Sequence, residues 1–319
     1  MLGFKEVEQP PAPERRKASS HKGDFGHVLV VAGSRRMMGA AILCSGAASR
    51  AGAGLVTLAC PKSMQANVLE ANPAVMTLPV KETPDGSIAL GAWPDIEAFC
   101  ERVTVIAAGP GLGQNRSTGM LVHRLIERSP LPMVLDADGL NALAAEPDLL
   151  LSASGPLVLT PHPGEMARLI GRTVDEVQRD RRGVACSLAE RSRAVVVLKG
   201  ANTVVAADGK VYVNSSGNPH MASGGAGDVL TGMIAGLLAQ GIAPFDAART
   251  AVYWHGLAAD RAPNAAGPGA ITAPDLLDQL RRSASDIDWY NEELELDDDS
   301  VFDPDLDADA EEEEANGSW

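Results

Sequence analysis

The sequence predicts an α/β fold of three layers, in which a mostly parallel sheet lies between two layers of helices. Short valine-rich runs alternate along the chain with helical patterns, and this order is typical of parallel strands that are buried on both faces. A chain of 319 residues that is 45% apolar is also long enough to cover such a sheet with helices on both sides.

The strands are predicted from continuous apolar runs, and the alternation of these runs with helices implies right-handed crossovers. A late pair of runs flanks Asp208 and Gly209, which are hairpin residues, so antiparallel strands are expected at one edge. The expected strands are 27–32, 55–60, 103–107, 133–135, 157–159, 194–198, 203–206 and 211–213.

The predicted helices lie between these strands. One begins after Thr173, with Glu176 three residues later in the spacing of a capping box. The other expected helices are 39–53, 118–128, 163–170 and 229–240. We expect one domain over residues 20–285, an N-terminal arm (1–19) and an acidic tail (286–319).

The negative charge is concentrated at the C-terminus. The formal net charge is −15, and sixteen of the 42 acidic residues but none of the 27 basic ones follow Arg282. Such a segment is expected to be disordered, either as a solubilising appendage or as a contact for a basic partner. The acidic balance and the aromatic content of 4% argue against a nucleic-acid partner.

Cysteine usage and hydropathy predict a cytoplasmic protein with no membrane partner. The four cysteines form no CxxC pair, which favours reduced thiols over a zinc knuckle or a disulfide framework. The first residues contain no apolar signal segment, and the most apolar stretch (39–60) is interrupted by Arg50 and several glycines.

Ligands of parallel sheets bind at the carboxyl ends of the strands, and several unusual loops follow the predicted strands. The small residues of 33–41 permit either ligand approach or close helix packing, and 109–113 is rich in glycine. Asp136 and Asp138 are expected either to hold Mg²⁺ through water or to cap the next helix, and capping is favoured for Asp138. His162, between two prolines, faces a ligand or makes a structural hydrogen bond.

The strongest pattern is the glycine-rich segment 221–228, directly before the apolar helix expected at 229–240. Successive glycines expose backbone N–H groups at a helix N-terminus, where these groups stabilise phosphate charge. Asp228 in this segment either caps the helix or accepts a proton from an attacking hydroxyl. The sequence has no Walker-type phosphate loop, so residues 199–203 are the available second loop for a nucleotide.

Taken together, these segments resemble the ribokinase-like superfamily and, within it, the ADP- or ATP-dependent NAD(P)H-hydrate dehydratases. The resemblance covers about residues 20–285, and its motifs occur in order along the chain. They are KGDFGHVLVVAGS (22–34), GAGLVTLACP (52–61), AAGPGLG (107–113), LDADGLNAL (135–143), LTPHPGEMARL (159–169), LKGANTVV (198–205) and NSSGNPHMASGGAGDVLTG (214–232).

The resemblance implies a lyase of metabolite repair that restores NADH or NADPH from the hydrates NADHX and NADPHX. The C6 hydroxyl would be phosphorylated by ADP or ATP, with Mg²⁺ on the nucleotide phosphates, and phosphate would then be eliminated. A homotetramer is also implied, and no residue is assigned as a protein ligand of the metal. The implied residues are Gly225, Ala226, Gly227 and Asp228 for catalysis, Lys199, Gly200, Ala201, Asn202, Thr203 and Gly227 for the nucleotide, and Ala41, Gly113, His162 and Asp228 for the hydrate.

Two other functions remain open at this point: a small-molecule kinase of the same fold, and a nucleotide-sensing protein without catalysis. The PHPGE and GPGLG motifs disfavour the kinase, and the presence of Asp228 disfavours the non-catalytic protein. The epimerase domain that is often fused ahead of this family needs far more than the roughly 25 residues before the first strand, so epimerase activity is not expected.

Overall fold

The strands that the structure describes form a single sheet. The computed structural model describes residues 4–8, 10–11, 16–263 and 269–286. In this part of the chain the strands are β1 Lys5–Glu6, β2 His27–Val31, β3 Leu55–Pro61, β4 Met76–Val80, β5 Val105–Ala108, β6 Met133–Leu135, β7 Leu157–Leu159, β8 Val195–Leu198, β9 Val204–Ala207 and β10 Lys210–Val213.

The strand order is β1-β10-β9-β8-β7-β6-β5-β2-β3-β4. The strands from β8 to β4 in this order are all parallel, whereas β9 is antiparallel to both β8 and β10. β10 is therefore parallel to β8. As a result, the carboxyl ends of β5, β6, β7, β8 and β10 all lie at the same edge of the sheet.

Helices cover both faces of this sheet. Within the described residues they are α1 Met38–Arg50, α2 Gln65–Ala71, α3 Trp93–Cys100, α4 Arg116–Arg128, α5 Asp138–Ala145, α6 Pro163–Ile170, α7 Val174–Arg179, α8 Arg181–Ser192, α9 Ala226–Ala239, α10 Pro244–Asp260 and α11 Ala273–Asp286. Leu29 and Val31 of β2 pack with apolar residues of α4 to α8, and the alternate residues Val28 and Val30 are buried on the opposite face. That face is covered by α9, which packs against α1, α10 and α11.

The crossing of α1 and α9 depends on glycine. A Cβ atom on Gly232 would lie 2.0 Å from the carbonyl oxygen of Cys44, and one on Gly236 would lie 2.5 Å from that of Ala48. Only glycine therefore permits this separation of the two helices. The close packing holds α9 against the centre of the sheet, where it contacts β2, β5 and β6.

The predicted fold class is confirmed, and most predicted strands lie within two residues of the observed ones. The capping box of Thr173 and Glu176 is also present. The predicted start of α9 is wrong, because the helix begins three residues earlier, at Ala226, and Asp228 lies in its first turn. The four cysteines are free thiols, as the sequence predicts.

Other parts of the fold had no clear signal in the sequence. The edge strand β4 is half-exposed and contains Pro79, so it lacks the continuous apolar run of the central strands. Lys5–Glu6, within the predicted arm, pair with β10. The predicted acidic tail lies outside the described residues apart from Asp286. Among the described helices, none combines the length and apolar character that crossing a membrane requires.

Candidate active site

A buried ion pair lies where the parallel strands end. Asp136 follows β6 and is 1% exposed, and its carboxylate accepts hydrogen bonds from Nζ of Lys199 at 2.5 Å and from the Thr231 hydroxyl at 2.8 Å. Lys199 directly follows β8, and Thr231 lies in the second turn of α9. This network therefore joins two strand ends to the start of the helix.

Glu165 adds a second carboxylate to the network, with Oε2 4.0 Å from Nζ of Lys199. Burial disfavours the charged form of Lys199, but the carboxylates of Asp136 and Glu165 outweigh it and raise the pKa of the ammonium. Lys199 therefore carries a fixed positive charge inside the site.

Asp228, one turn before Thr231 on α9, has a carboxyl group whose pKa is strongly raised. Burial, followed by the nearby charge of Asp136, raises its pKa from 3.8 to about 7, although Lys199 opposes the rise. A carboxyl with this pKa exchanges its proton near neutral pH, which is the property required of a general base. The role of Asp228 as a base stays a prediction, and this pKa is the property that supports it.

The start of α9 has the geometry of an anion site. Gly225 is its N-cap residue, with φ of +94°, a conformation that favours glycine, and Gly224 is exposed with open space around its Cα. Nζ of Lys199 lies 3.1 Å from the point that a Cβ of Gly227 would occupy. Free backbone N–H groups and a lysine charge therefore converge at one helix end.

Helix α10 anchors the segment that follows β10 and leads to the start of α9. The Ser216 hydroxyl donates to the carbonyl of Tyr253 at 2.8 Å, and the Gly217 N–H donates to the carboxylate of Asp260 at 2.7 Å. His255, buried between these anchor points, lies next to Ala226, and burial lowers the pKa of its ring to about 4. The imidazole is therefore neutral and adds no charge behind the anion site.

The segment from Lys199 to Thr203, predicted to hold a nucleotide, forms a tight loop beside this helix start. The Thr203 hydroxyl donates to the carbonyl of Gly200 at 2.9 Å. The guanidinium of Arg181 donates to the carbonyl of Leu198 at 2.9 Å and to that of Lys199. Ala201 and Asn202 at the tip are exposed, so the loop is anchored at its base and open at its tip.

The loop after β5 contacts the other side of the site. The Gly113 N–H donates to Oδ2 of Asp138 at 2.8 Å, and the Asn141 amide donates to Oδ1 of Asp138. The expectation that Asp138 caps α5 is wrong: Ala137 is the N-cap residue and Asp138 is the first helical residue. Its carboxylate fixes the Gly113 loop, because that loop lies within reach of the helix start.

His162 is the N-cap residue of α6. The N–H groups of Gly164 and Glu165 donate to its Nδ1, and the Glu165 carboxylate accepts from the His162 N–H at 2.8 Å. Nδ1 is thus an acceptor, so the proton of the neutral ring is on Nε2, 3.4 Å from Oε1 of Glu165. The ring is half-exposed, which is compatible with both a structural and a ligand-facing role.

The structure brings Asp228, Gly227 and Lys199 together. Asp138, whose charge acts on Asp228, holds the Gly113 loop near them by its hydrogen bond from the Gly113 N–H. Ala41 is fully buried, beneath Gly33, and presents no surface to the cleft. Sequence reasoning missed the roles of Glu165, Thr231, Arg181, His255 and Asp260. Of these, Glu165 lies within the PHPGE motif and Thr231 within the motif 214–232, whereas Arg181, His255 and Asp260 lie outside the segments that sequence reasoning had singled out.

The family of the chain follows from comparison with known proteins. The family model for carbohydrate-kinase-type NAD(P)H-hydrate dehydratases matches residues 28–282. The chain belongs to this dehydratase family. The matched region includes every element that contributes to the site, from β2 to α10.

Curated relatives agree with this assignment. A bifunctional NAD(P)H-hydrate repair enzyme of Moorella thermoacetica is 48% identical over 267 residues, which cover 83% of this chain and 50% of the relative. An ADP-dependent (S)-NAD(P)H-hydrate dehydratase of Neisseria meningitidis is 40% identical, covering 82% of this chain and 85% of the relative. The chain thus spans about half the length of the bifunctional relatives and most of the length of the dehydratase.

Solved structures show the same fold. An ADP/ATP-dependent NAD(P)H-hydrate dehydratase from Bacillus subtilis, co-crystallized with ATP and Mg²⁺, has a TM-score of 0.74 and 34% identity, covering 86% of this chain and 94% of that chain. A ribokinase-like superfamily protein from Enterococcus faecalis has a TM-score of 0.75 at 23% identity, covering 90% of this chain and 97% of that chain. This chain therefore has the ribokinase-like fold.

Proposed function

We propose that the chain converts hydrated NADH or NADPH back to NADH or NADPH at the expense of ADP or ATP. Family membership supports the reaction class. The observation that carries the proposal is Asp228, whose pKa of about 7 is combined with the glycine-rich start of α9 in one place.

In this proposal Asp228 is the general base. Its carboxylate accepts the proton of the C6 hydroxyl, and the hydroxyl oxygen attacks the terminal phosphorus of the nucleotide while the bond to the departing nucleotide breaks. The lone pair of the ring nitrogen then expels the C6 phosphate, and loss of a proton from C5 forms the double bond of the dihydronicotinamide. The products are NAD(P)H, inorganic phosphate and the shortened nucleotide.

Backbone groups of Gly225, Ala226 and Gly227 would stabilise the charge of the transferred phosphoryl group. Their N–H groups belong to the first turn of α9, where no intrahelical acceptor exists. The fixed charge of Lys199 is next to Gly227, so it would act on the same phosphate, while Asp136 holds the lysine in place.

The remaining residues are assigned to the nucleotide or to the hydrate according to the side of the site on which they lie. Lys199, Gly200, Ala201, Asn202 and Thr203 would bind the nucleotide together with Gly227, since their loop lies beside the helix start. Gly113 and His162 would contact the hydrate together with Asp228. Ala41 is fully buried. It would contact the hydrate only if the first turn of α1 moved.

Mg²⁺ is proposed as the ion of the nucleotide phosphates, where it would neutralise their charge. The described side chains include no group of three histidine, cysteine, aspartate or glutamate residues able to hold a metal. Both oxygens of Asp136 already accept hydrogen bonds. The donor set therefore does not form a protein cage, and such an ion would depend on phosphate and water ligands.

We further propose a cytoplasmic, homotetrameric enzyme. Free cysteines are compatible with a reducing compartment, and the tetramer rests on the family resemblance. Cell fractionation and the mass of the native protein by light scattering test these two points.

The experiment that tests the proposed reaction follows NADH formation from the hydrate with ADP, with ATP and without nucleotide. We expect turnover that requires nucleotide and releases inorganic phosphate, observed by phosphorus NMR. A stable phosphorylated product would instead indicate a small-molecule kinase. Asp228→Asn is the matched inactive control, since amide and carboxyl have nearly the same shape.

A further inference from the structure

A groove of about 500 Å³ lies between α4 and α5 and borders the candidate active site. Gly113 and Asp138 line its inner end, and these two residues are joined by the hydrogen bond that fixes the loop after β5. From there it runs past Gly119 and Ala142 to His123 and Glu146. Its volume is in the range of small-molecule pockets.

The direction of this groove matches the shape of the proposed substrate. Hydrated NADH is a dinucleotide, and only its nicotinamide end meets Asp228. The phosphate donor is assigned to the side of the site formed by β8, β10 and the loop 199–203. The rest of the dinucleotide therefore leaves the site on the opposite side, where β5 and β6 end and the groove begins.

The lining of the groove suits an adenosine diphosphate group. Leu112 and Val122 are buried beneath the groove, and the apolar surface open to a ligand is that of Met120 at the rim, which is 46% exposed; a flat adenine ring packs on such a side chain. Arg116 at the start of α4 is exposed and, among the described residues, has no ion-pair partner. Its guanidinium is a suitable contact for a diphosphate.

The acidic residues of the groove lie at its two ends. Both carboxylate oxygens of Asp138 already accept hydrogen bonds, from Gly113 and Asn141. Glu146 is at the far end, with its carboxylate 3.9 Å from Nδ1 of His123. A carboxylate in that position accepts hydrogen bonds from ribose hydroxyls or an exocyclic amine.

We infer that the groove between α4 and α5 binds the adenosine diphosphate half of the dinucleotide hydrate, an inference that rests on the proposed function.

The test compares two substitutions at Gly119. A Cβ there meets only the Cβ of Ala142, at 3.9 Å, so Gly119→Ala fits without displacement, whereas Gly119→Phe fills the groove. Both replace a helical glycine with a better helix former, so folding is preserved, and melting temperatures verify this. Each variant is assayed with hydrated NADH and with the hydrate of reduced nicotinamide mononucleotide, which lacks the adenosine half.

We expect Gly119→Phe to raise KM for hydrated NADH about tenfold or more relative to Gly119→Ala, a loss typical of one removed contact region. The KM for the mononucleotide hydrate should change less than about twofold. An unchanged KM for hydrated NADH, or an equal rise for both hydrates, would overturn the groove assignment. A wild-type protein that turns over neither hydrate would instead overturn the proposed function and this inference together.

Discussion

Replacing Asp228 with asparagine should both lower turnover by orders of magnitude and stabilise the folded protein at alkaline pH. The carboxyl is held in a buried position beside Asp136, which raises its pKa from 3.8 to about 7. Asparagine keeps the shape of the side chain but carries no charge. The substitution therefore removes the catalytic base and, at the same time, an unfavourable buried charge.

The magnitude follows from the two pKa values. Below about pH 4 the carboxyl is protonated in both the folded and the unfolded chain, so it contributes no difference between them. As pH rises from about 4 to about 7, only the unfolded chain loses the proton, and the wild-type protein loses stability. The difference between 3.8 and about 7 corresponds to an upper limit of about 4 kcal/mol.

The assay is thermal unfolding of both proteins across pH. The advantage of Asp228→Asn should be small near pH 4, grow with pH and level off above about pH 8; each kcal/mol raises the melting temperature by about 2–4 °C for a domain of this size. Turnover should fall by about a hundredfold to ten-thousandfold. In the wild type, kcat/KM should rise with pH through about 7 and then level off, because the base must be ionised.

A difference in melting temperature that stays constant from pH 4 to pH 9 would refute the shifted pKa. Near-normal turnover of the folded variant would refute the assignment of Asp228 as the base. Melting temperature and turnover are independent readouts. A variant that is stabilised but still active would support the raised pKa of Asp228 and exclude its role as the base.

Three other perturbations test the surrounding structure. Lys199→Ala should weaken nucleotide affinity more than hydrate affinity in titration calorimetry, and should cost about 3–5 kcal/mol in urea unfolding by leaving the charge of Asp136 buried and unpaired; equal weakening of both ligands would contradict the loop assignment. Gly232→Ala should destabilise by about 3 kcal/mol, because its Cβ would lie 2.0 Å from the Cys44 carbonyl oxygen, whereas Gly39→Ala in open space should be neutral. Removing 287–319 should leave melting temperature and turnover unchanged, because this acidic segment has few apolar side chains to bury; a large loss of either would show that it docks on the domain.

The parallel strands and the glycine-rich loops were accessible from the sequence because both leave local patterns. The run from Val195 to Leu198 is buried on both faces of the sheet and is therefore continuously apolar. The N-cap position of Gly225 needs a positive φ, which glycine supplies. The edge strand Met76–Val80 was missed because a half-exposed strand with a proline has no such pattern.

Local sequence patterns are sufficient to predict the order of strands and helices, the glycine-rich start of α9 and the presence of Asp228 in it, since each depends on neighbours in the chain. By contrast, the pairing of Asp136 with Lys199, 63 residues away, and its hydrogen bond from Thr231, 95 residues away, depend on how the chain folds. The same is true of Asp138, which was expected to cap a helix but accepts a hydrogen bond from the Gly113 N–H. The physical reason is that a pKa or an ion pair depends on burial and on distance through space, and both arise only when distant strand ends meet at one edge of the sheet.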